Sequence, residues 1–152
     1  AVGGMVEAVD GGGAGGWIEE GGDGGDGGDF VYSRFLTPYL SDFKGWAIFA
    51  DGDMVCQGDL KELIDMADPS KAVMVVKHDY QTKATQKYLG NINENYPRKN
   101  WSSVILWNCD HPKHKILTPD FVSKQTGKFL HRFSWLDDQD IGESRMGCWL
   151  CP

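Results

Sequence analysis

Residues 45–50, Gly-Trp-Ala-Ile-Phe-Ala, form an apolar run that stops abruptly at Asp51-Gly52-Asp53. A short continuous apolar run closed by turn residues is the pattern of a strand covered on both faces, which belongs in a layered α/β fold. The chain repeats the pattern twice. Residues 72–77 (AVMVVK) end at His78-Asp79-Tyr80, and residues 103–107 (SVILW) end at Asn108. Between the first two runs, residues 58–66 place Leu60, Leu63, Ile64 and Met66 on one side and acids and lysine on the other. This spacing predicts an amphipathic helix with Asp59 at its start. Strands alternating with helices give an α/β layer fold.

The flanks of this pattern read differently. Residues 1–28 hold 13 of the 20 glycines, and no apolar run there exceeds two residues. A buried strand takes roughly four to eight, and glycine loses the most backbone entropy on ordering. The expectation is a flexible or irregular segment over 1–28 and a single α/β domain over 29–152. The GGxGGxGG stretch at 21–28 lacks the strand before and the helix after that a phosphate-cradling loop needs, and Asp23 and Asp26 would repel phosphate. From residue 30, Val31, Phe35, Leu36, Tyr39 and Leu40 fall at helical spacings, with Pro38 predicting a break. Residues 81–100 are polar and read as a loop-rich insertion. Thr118-Pro119-Asp120 supplies a capping hydroxyl and a proline at the first helical position, predicting a helix over 118–130.

The net charge of −7 argues against a nucleic-acid partner, because an acidic chain repels phosphate backbones. The charge is uneven. Residues 1–29 carry seven acids and no Lys or Arg, so all 15 basic residues lie in the nearly neutral remainder. No run of about 18 apolar residues is present, so no membrane span is expected. No basic region leads into an apolar stretch at the N-terminus, so no signal peptide is read and a cytoplasmic location is the default. Cys56 and Cys109 sit among apolar residues, as buried thiols do. Cys148-Trp149-Leu150-Cys151 has CxxC spacing but neither a second pair nor a βαβ context, and is read as coincidence rather than a metal or redox site.

In open α/β sheets, ligands bind beyond the carboxyl ends of strands. Asp51 and Asp53 stand at such an end. Two carboxylates one residue apart can approach a single hard cation, Mn²⁺ or Mg²⁺, which prefers oxygen ligands and leaves positions for substrate phosphates. Gly52 between them removes a side chain where a diphosphate would come close. The plain alternative is an acidic turn after a strand. Lys77, His78 and Asp79 follow the second predicted strand and are candidates for the same edge, with His78 a metal or phosphate contact or else a surface histidine.

Tyr32-Ser33-Arg34-Phe35-Leu36-Thr37-Pro38-Tyr39-Leu40, followed by Gly45 to Met54, resembles glycosyltransferases of the GT-A fold, nearest to family 8 and its bacterial and phage relatives. Those proteins carry an aromatic-x-Arg helix, then a strand, then Asp-x-Asp. Trp101 to Asn108 is similar to their strand facing the acceptor, and Asp138-Gln139-Asp140-Ile141 to their Asp-Gln-Asp segment. The similarity runs over roughly residues 29–143. It implies a GT-A-like, Rossmann-like mixed sheet and the transfer of a hexose from a nucleotide-diphosphate sugar, a UDP-sugar first among them, to a sugar or glycan acceptor. It implies that Asp51 and Asp53 hold Mn²⁺ or Mg²⁺ against the diphosphate. Arg34 and Tyr32 would then lie at the donor, Ser103, Lys77 and His78 would contact substrate, and Asp138 and Gln139 would act beside the transferred sugar. Ser103 also reads as a small residue in a packed strand, and Trp101 as either a sugar-stacking face or a core residue.

The resemblance fades at both ends, so the domain is expected to be incomplete at both. Exposed sheet edges would then favour self-association into a homo-oligomer. Two other readings follow. A catalytically impaired remnant would bind nucleotide or sugar without turnover. A haloacid-dehalogenase-like phosphatase would use Asp51 as nucleophile and Asp53 as general acid, but it leaves residues 32–40 and 101–108 without a role.

Overall fold

The structure, a computed structural model, describes residues 5–8, 16–17, 32–52, 54–77, 98, 101–144 and 150–151. Its centre is the pair formed by β3 (Trp46–Ala50) and β6 (Val104–Asn108), antiparallel and in register from Trp46 opposite Asn108 to Ala50 opposite Val104. β5 (Val73–Val75) pairs antiparallel with the other side of β6, and β7 (Ile141–Glu143) lies parallel to β5. β1 (Met5–Ala8) and β2 (Gly16–Trp17) extend the sheet beyond β3, in the order β2-β1-β3-β6-β5-β7. A separate antiparallel pair joins β4 (Val55–Cys56) to β8 (Leu150–Cys151).

The α/β sheet was legible in the apolar runs, and its mixed pairing agrees with the GT-A resemblance; β1 and β2 were not legible. A strand can be held by its ladder alone, and β1 lies along β3 through Met5 to Ala8 without needing a long apolar run of its own.

Alternation along each strand divides the side chains between two cores. Ala47, Phe49, Val73, Val75, Ile105 and Trp107 enter one cluster with Phe35, Val122, Leu130 and Phe133. Ile48, Ala50, Met74, Val104 and Leu106 enter the other with Leu63. Both faces are covered, which explains why these strands read as unbroken apolar runs although most of their pairings are antiparallel. Gly142 lies opposite Met74, and a Cβ there would run into the Met74 sulfur.

Helices form the outer layers. A 3-10 turn at Arg34–Leu36 leads into α1 (Thr37–Leu40), where Pro38 sits in the first helical turn, so the predicted break falls ahead of the proline. α2 (Leu60–Asp65) has the expected cap, the Asp59 carboxylate accepting from the Lys61 amide at 2.8 Å. The helix predicted over 118–130 is two: α3 (Pro119–Ser123), capped by Thr118, and α4 (Gly127–His131), capped by Thr126. The second capping hydroxyl satisfies the Phe129 amide and starts a new helix instead of continuing the first. No helix among the described residues is long and apolar enough to cross a membrane. Cys109 is buried as expected, and burial pushes its thiol up to about 11.

His114 is fully buried in the larger core. The Trp135 indole N–H points at Nδ1 from 3.4 Å, and Nε2 lies 2.9 Å from the Ala72 carbonyl. The neutral ring with its proton on Nε2 satisfies both contacts. Burial drives its pKa down to about 4. The folded pKa lies below the unfolded value near 6.5, so the unfolded state binds the proton more readily. Folding stability should therefore fall as pH drops from 6.5 toward 4, by roughly 3 kcal/mol in all. Denaturant midpoints of the wild-type chain and His114→Gln across that range test it: the variant should show a flatter pH dependence, and parallel curves would refute the assignment.

Candidate functional site

β3 ends at Ala50, and Asp51 is the next residue. Because β6 runs the opposite way, its entry residues lie beside the exit of β3. The Asp51 amide donates to the Ser103 carbonyl at 3.0 Å, and the Asp51 carbonyl accepts from the Met54 amide at 3.1 Å, closing the turn around Gly52. Arg34 approaches from the 3-10 turn. Its Nη2 pairs with Asp51 Oδ1 at 2.9 Å, and its Nη1 donates to the Ser102 carbonyl at 2.8 Å. The guanidinium lies over the Phe49 ring, 5.0 Å from its centre. Only 14% of the Arg34 side chain and 22% of the Asp51 side chain are exposed. Burial lowers the Arg34 pKa, with Asp51 opposing the shift. Among the described residues, the buried Arg34 Nε has no hydrogen-bond partner.

Lys77 follows β5 at the same edge of the sheet, since β5 runs antiparallel to β6. Its ammonium lies over the Trp101 ring, 5.4 Å from the centre. Trp101 itself packs against the larger core. Asp138 opens the 3-10 turn Asp138–Asp140 that leads into β7. Its carboxylate is paired with Arg98, which holds it below the usual carboxylate range, and Lys77 adds to the same effect.

The structure thus gathers Arg34, Asp51 and the backbone of Ser103 directly, brings Lys77 to the same edge, and ties Asp138 to Arg98. Gln139 is exposed, and its carbonyl accepts from Lys71 Nζ at 2.9 Å. Tyr32 packs against the larger core, with its ring beside Gly127 of α4, where an added Cβ would lie 3.3 Å from the hydroxyl. Asp53 and His78, candidates for the metal and substrate sites, lie outside the described residues, as do Asp79 and Cys148. Asp140 takes a structural part. Its carboxylate accepts from the Asp137 amide at 2.8 Å and pairs with Lys113. Burial opposes its ionisation, but these partners outweigh the penalty and its pKa is lowered.

Three contributors were not read from the sequence: the Ser102 carbonyl, Arg98 and Lys113. A carbonyl leaves no residue-type signal, and Arg98 sits in a polar stretch with nothing to distinguish it from a surface arginine.

A sheet buried on both faces, with a carboxylate and cationic side chains at one strand edge, defines an open-sheet α/β protein, a class in which ligands bind beyond the strand ends. The chain belongs to glycosyl transferase family 8, whose model matches residues 28–127. It is 55% identical over 126 residues to Protein CDI of Arabidopsis thaliana, an alignment covering 83% of this chain and 48% of that protein. The chain therefore spans about half the length of that relative. No solved structure matches it significantly.

The Arg34–Asp51 pair is mostly buried, and removing one partner leaves the other charge in a poorly solvated place. Arg34→Ala should destabilise the fold by about 2 kcal/mol, below the cost of a fully buried pair because both groups retain some solvent. A urea-unfolding double-mutant cycle with Asp51→Asn should give a coupling of about 1 kcal/mol or more. Additive effects would mean that the two side chains do not support each other.

Proposed function

We propose that this chain takes part in metal-dependent transfer of a hexose from a nucleotide-diphosphate sugar, with a UDP-sugar as donor, to a sugar or glycan acceptor on a GT-A-type sheet. The observation that carries the proposal is Asp51 at the exit of a doubly buried strand, held by Arg34, within the stretch matched by the family.

A divalent cation fits the donor chemistry of this edge. Asp51 offers a partly exposed carboxylate, Asp53 supplies a second two residues later, and hard cations prefer oxygen ligands. Among the described residues no group of three or more His, Cys, Asp and Glu gathers around a common point. Mn²⁺ or Mg²⁺ that keeps positions for diphosphate oxygens needs few protein ligands. When bound, the ion would supply Lewis-acid neutralisation of the charge that grows on the leaving diphosphate.

The chain's own residues account for the rest. Arg34 already spans an anionic oxygen and a carbonyl, and the same planar fork suits phosphate or sugar hydroxyls. Lys77 adds an exposed positive charge at that edge, and His78 follows it in sequence. Asp138 is ionised and 94% exposed, as a carboxylate must be to stabilise positive character at the anomeric carbon. Gln139 beside it would orient the sugar. Ser103 and Tyr32 would serve substrate contacts, although Tyr32 also works as a packing residue against α4. The family match gives the phosphatase reading no support.

Calorimetric titration of UDP tests the proposal. Binding is expected with Mn²⁺, should vanish with EDTA, and should weaken at least about tenfold in Asp51→Asn/Asp53→Asn, a loss of about 1.4 kcal/mol. Equal binding with and without the ion would refute metal dependence. Binding without release of sugar from UDP-glucose would favour the impaired-remnant reading.

A further inference from the structure

We propose that Arg98 is a positioning residue for Asp138, fixing this exposed carboxylate for sugar transfer; the inference rests on the function proposed above. Arg98 lies 40 positions before Asp138 in sequence, yet its Nη2 pairs directly with Asp138 Oδ1. Its Nη1 faces three carbonyls of the turn that precedes Asp138: Arg132 at 2.7 Å, Phe133 at 3.1 Å and Leu136 at 3.4 Å. One guanidinium therefore joins the backbone of the 132–136 turn to the Asp138 side chain.

The two partners are unequal. The Arg98 side chain is 15% exposed, while that of Asp138 is 94% exposed. A surface ion pair between two solvated groups orders little, because both ends move. Here one end is seated in the fold by carbonyl contacts, so the carboxylate is tethered to a fixed point while its remaining surface stays open to a ligand. A planar fork with several donors can grip carbonyls and a carboxylate together, which a lysine ammonium does less well. The Arg98 backbone has φ 65, a left-handed conformation that non-glycine residues seldom adopt. Phe133, in the gripped turn, has φ 50. Two uncommon backbone conformations meet at this contact. Asp140, two residues beyond Asp138, is instead held by Lys113 and the Asp137 amide, so the two acids have separate partners.

The test is a cycle of Arg98→Ala, Arg98→Lys, Asp138→Asn and Arg98→Ala/Asp138→Asn in the full chain. The readouts are kcat for hydrolysis of UDP-glucose with Mn²⁺, the dissociation constant of UDP with Mn²⁺, and the thermal midpoint. Arg98→Ala should lower kcat by about ten- to a hundredfold, the scale expected when a catalytic group loses its placement. UDP affinity should stay within about twofold. Arg98→Lys, which keeps the charge and protects the fold, should recover part of the loss. In the double variant kcat should match Asp138→Asn alone, since a residue acting through another adds nothing once that residue is gone.

Multiplicative losses in the double variant would overturn the inference, as would loss of UDP affinity in step with kcat in both Arg98 variants. If Asp138→Asn lowers kcat while both Arg98 variants equal wild type, the inference falls and the proposed function stands. If the wild-type chain neither binds UDP nor releases glucose, the inference falls together with the reading beneath it.

Discussion

The five-residue register between β3 and β6, with both faces of the pair buried, is the constraint on which the rest of this molecule depends. A slip of one residue would send Phe49 and Ile105 to the face now filled by Ile48 and Leu106. Neither helical layer could accept that exchange. One face is lined by the Phe35, Trp107, Phe133 and Trp135 rings, with Trp107 and Trp135 stacked 6.4 Å apart and nearly parallel. The other receives the smaller apolar side of α2. Because the register is fixed, Asp51 leaves β3 beside Ser103 entering β6, and the site edge follows from the ladder.

Among the described residues, four acids each have a cation assigned to them. Asp51 has Arg34, Asp138 has Arg98, and Asp137 and Asp140 share Lys113. The pairs differ in what they leave open. Arg34 and Asp51 are both largely buried, so their pair is rigid and its loss is costly. Asp138 keeps most of its surface in water. Asp140 is enclosed by its own turn. Burial, not residue type, therefore separates a structural carboxylate from one that a ligand can reach, and in Asp138-Gln139-Asp140 both occur within one turn of 3-10 helix.

Much of this was readable from the chain, and the limits have physical causes. Apolar runs revealed β3, β5 and β6 because a strand covered on both faces has no polar phase to hide it. The α2 cap and the Thr118-Pro119 start were readable because capping uses a few residue types at fixed offsets. The splitting of 118–130 into α3 and α4 turned on whether Thr126 would cap or lie within a helix, which local propensity does not decide. β1 and β2 are held by pairing with distant backbone and left no periodic trace. Asp51 was readable as a candidate site residue from its place after a strand, while Arg98 was not, since its partners at 132–138 come near only through the fold.

The sign of the whole chain says little about the sign of its site. The net charge is −7, yet seven of the acids lie in residues 1–29, and the remainder balances. At the edge where Asp51 emerges, the described charges include Arg34 and Lys77, and screening in ordinary salt confines their influence to about 10 Å. Under the function proposed above, a diphosphate approaching that edge would meet these two positive groups at close range. Asp51 is the exception within the cluster, and its carboxylate makes sense there only with a cation beside it. Arg34 fills that part; under the function proposed above, a divalent ion beside Asp51 would let the guanidinium turn to phosphate without leaving the carboxylate uncompensated.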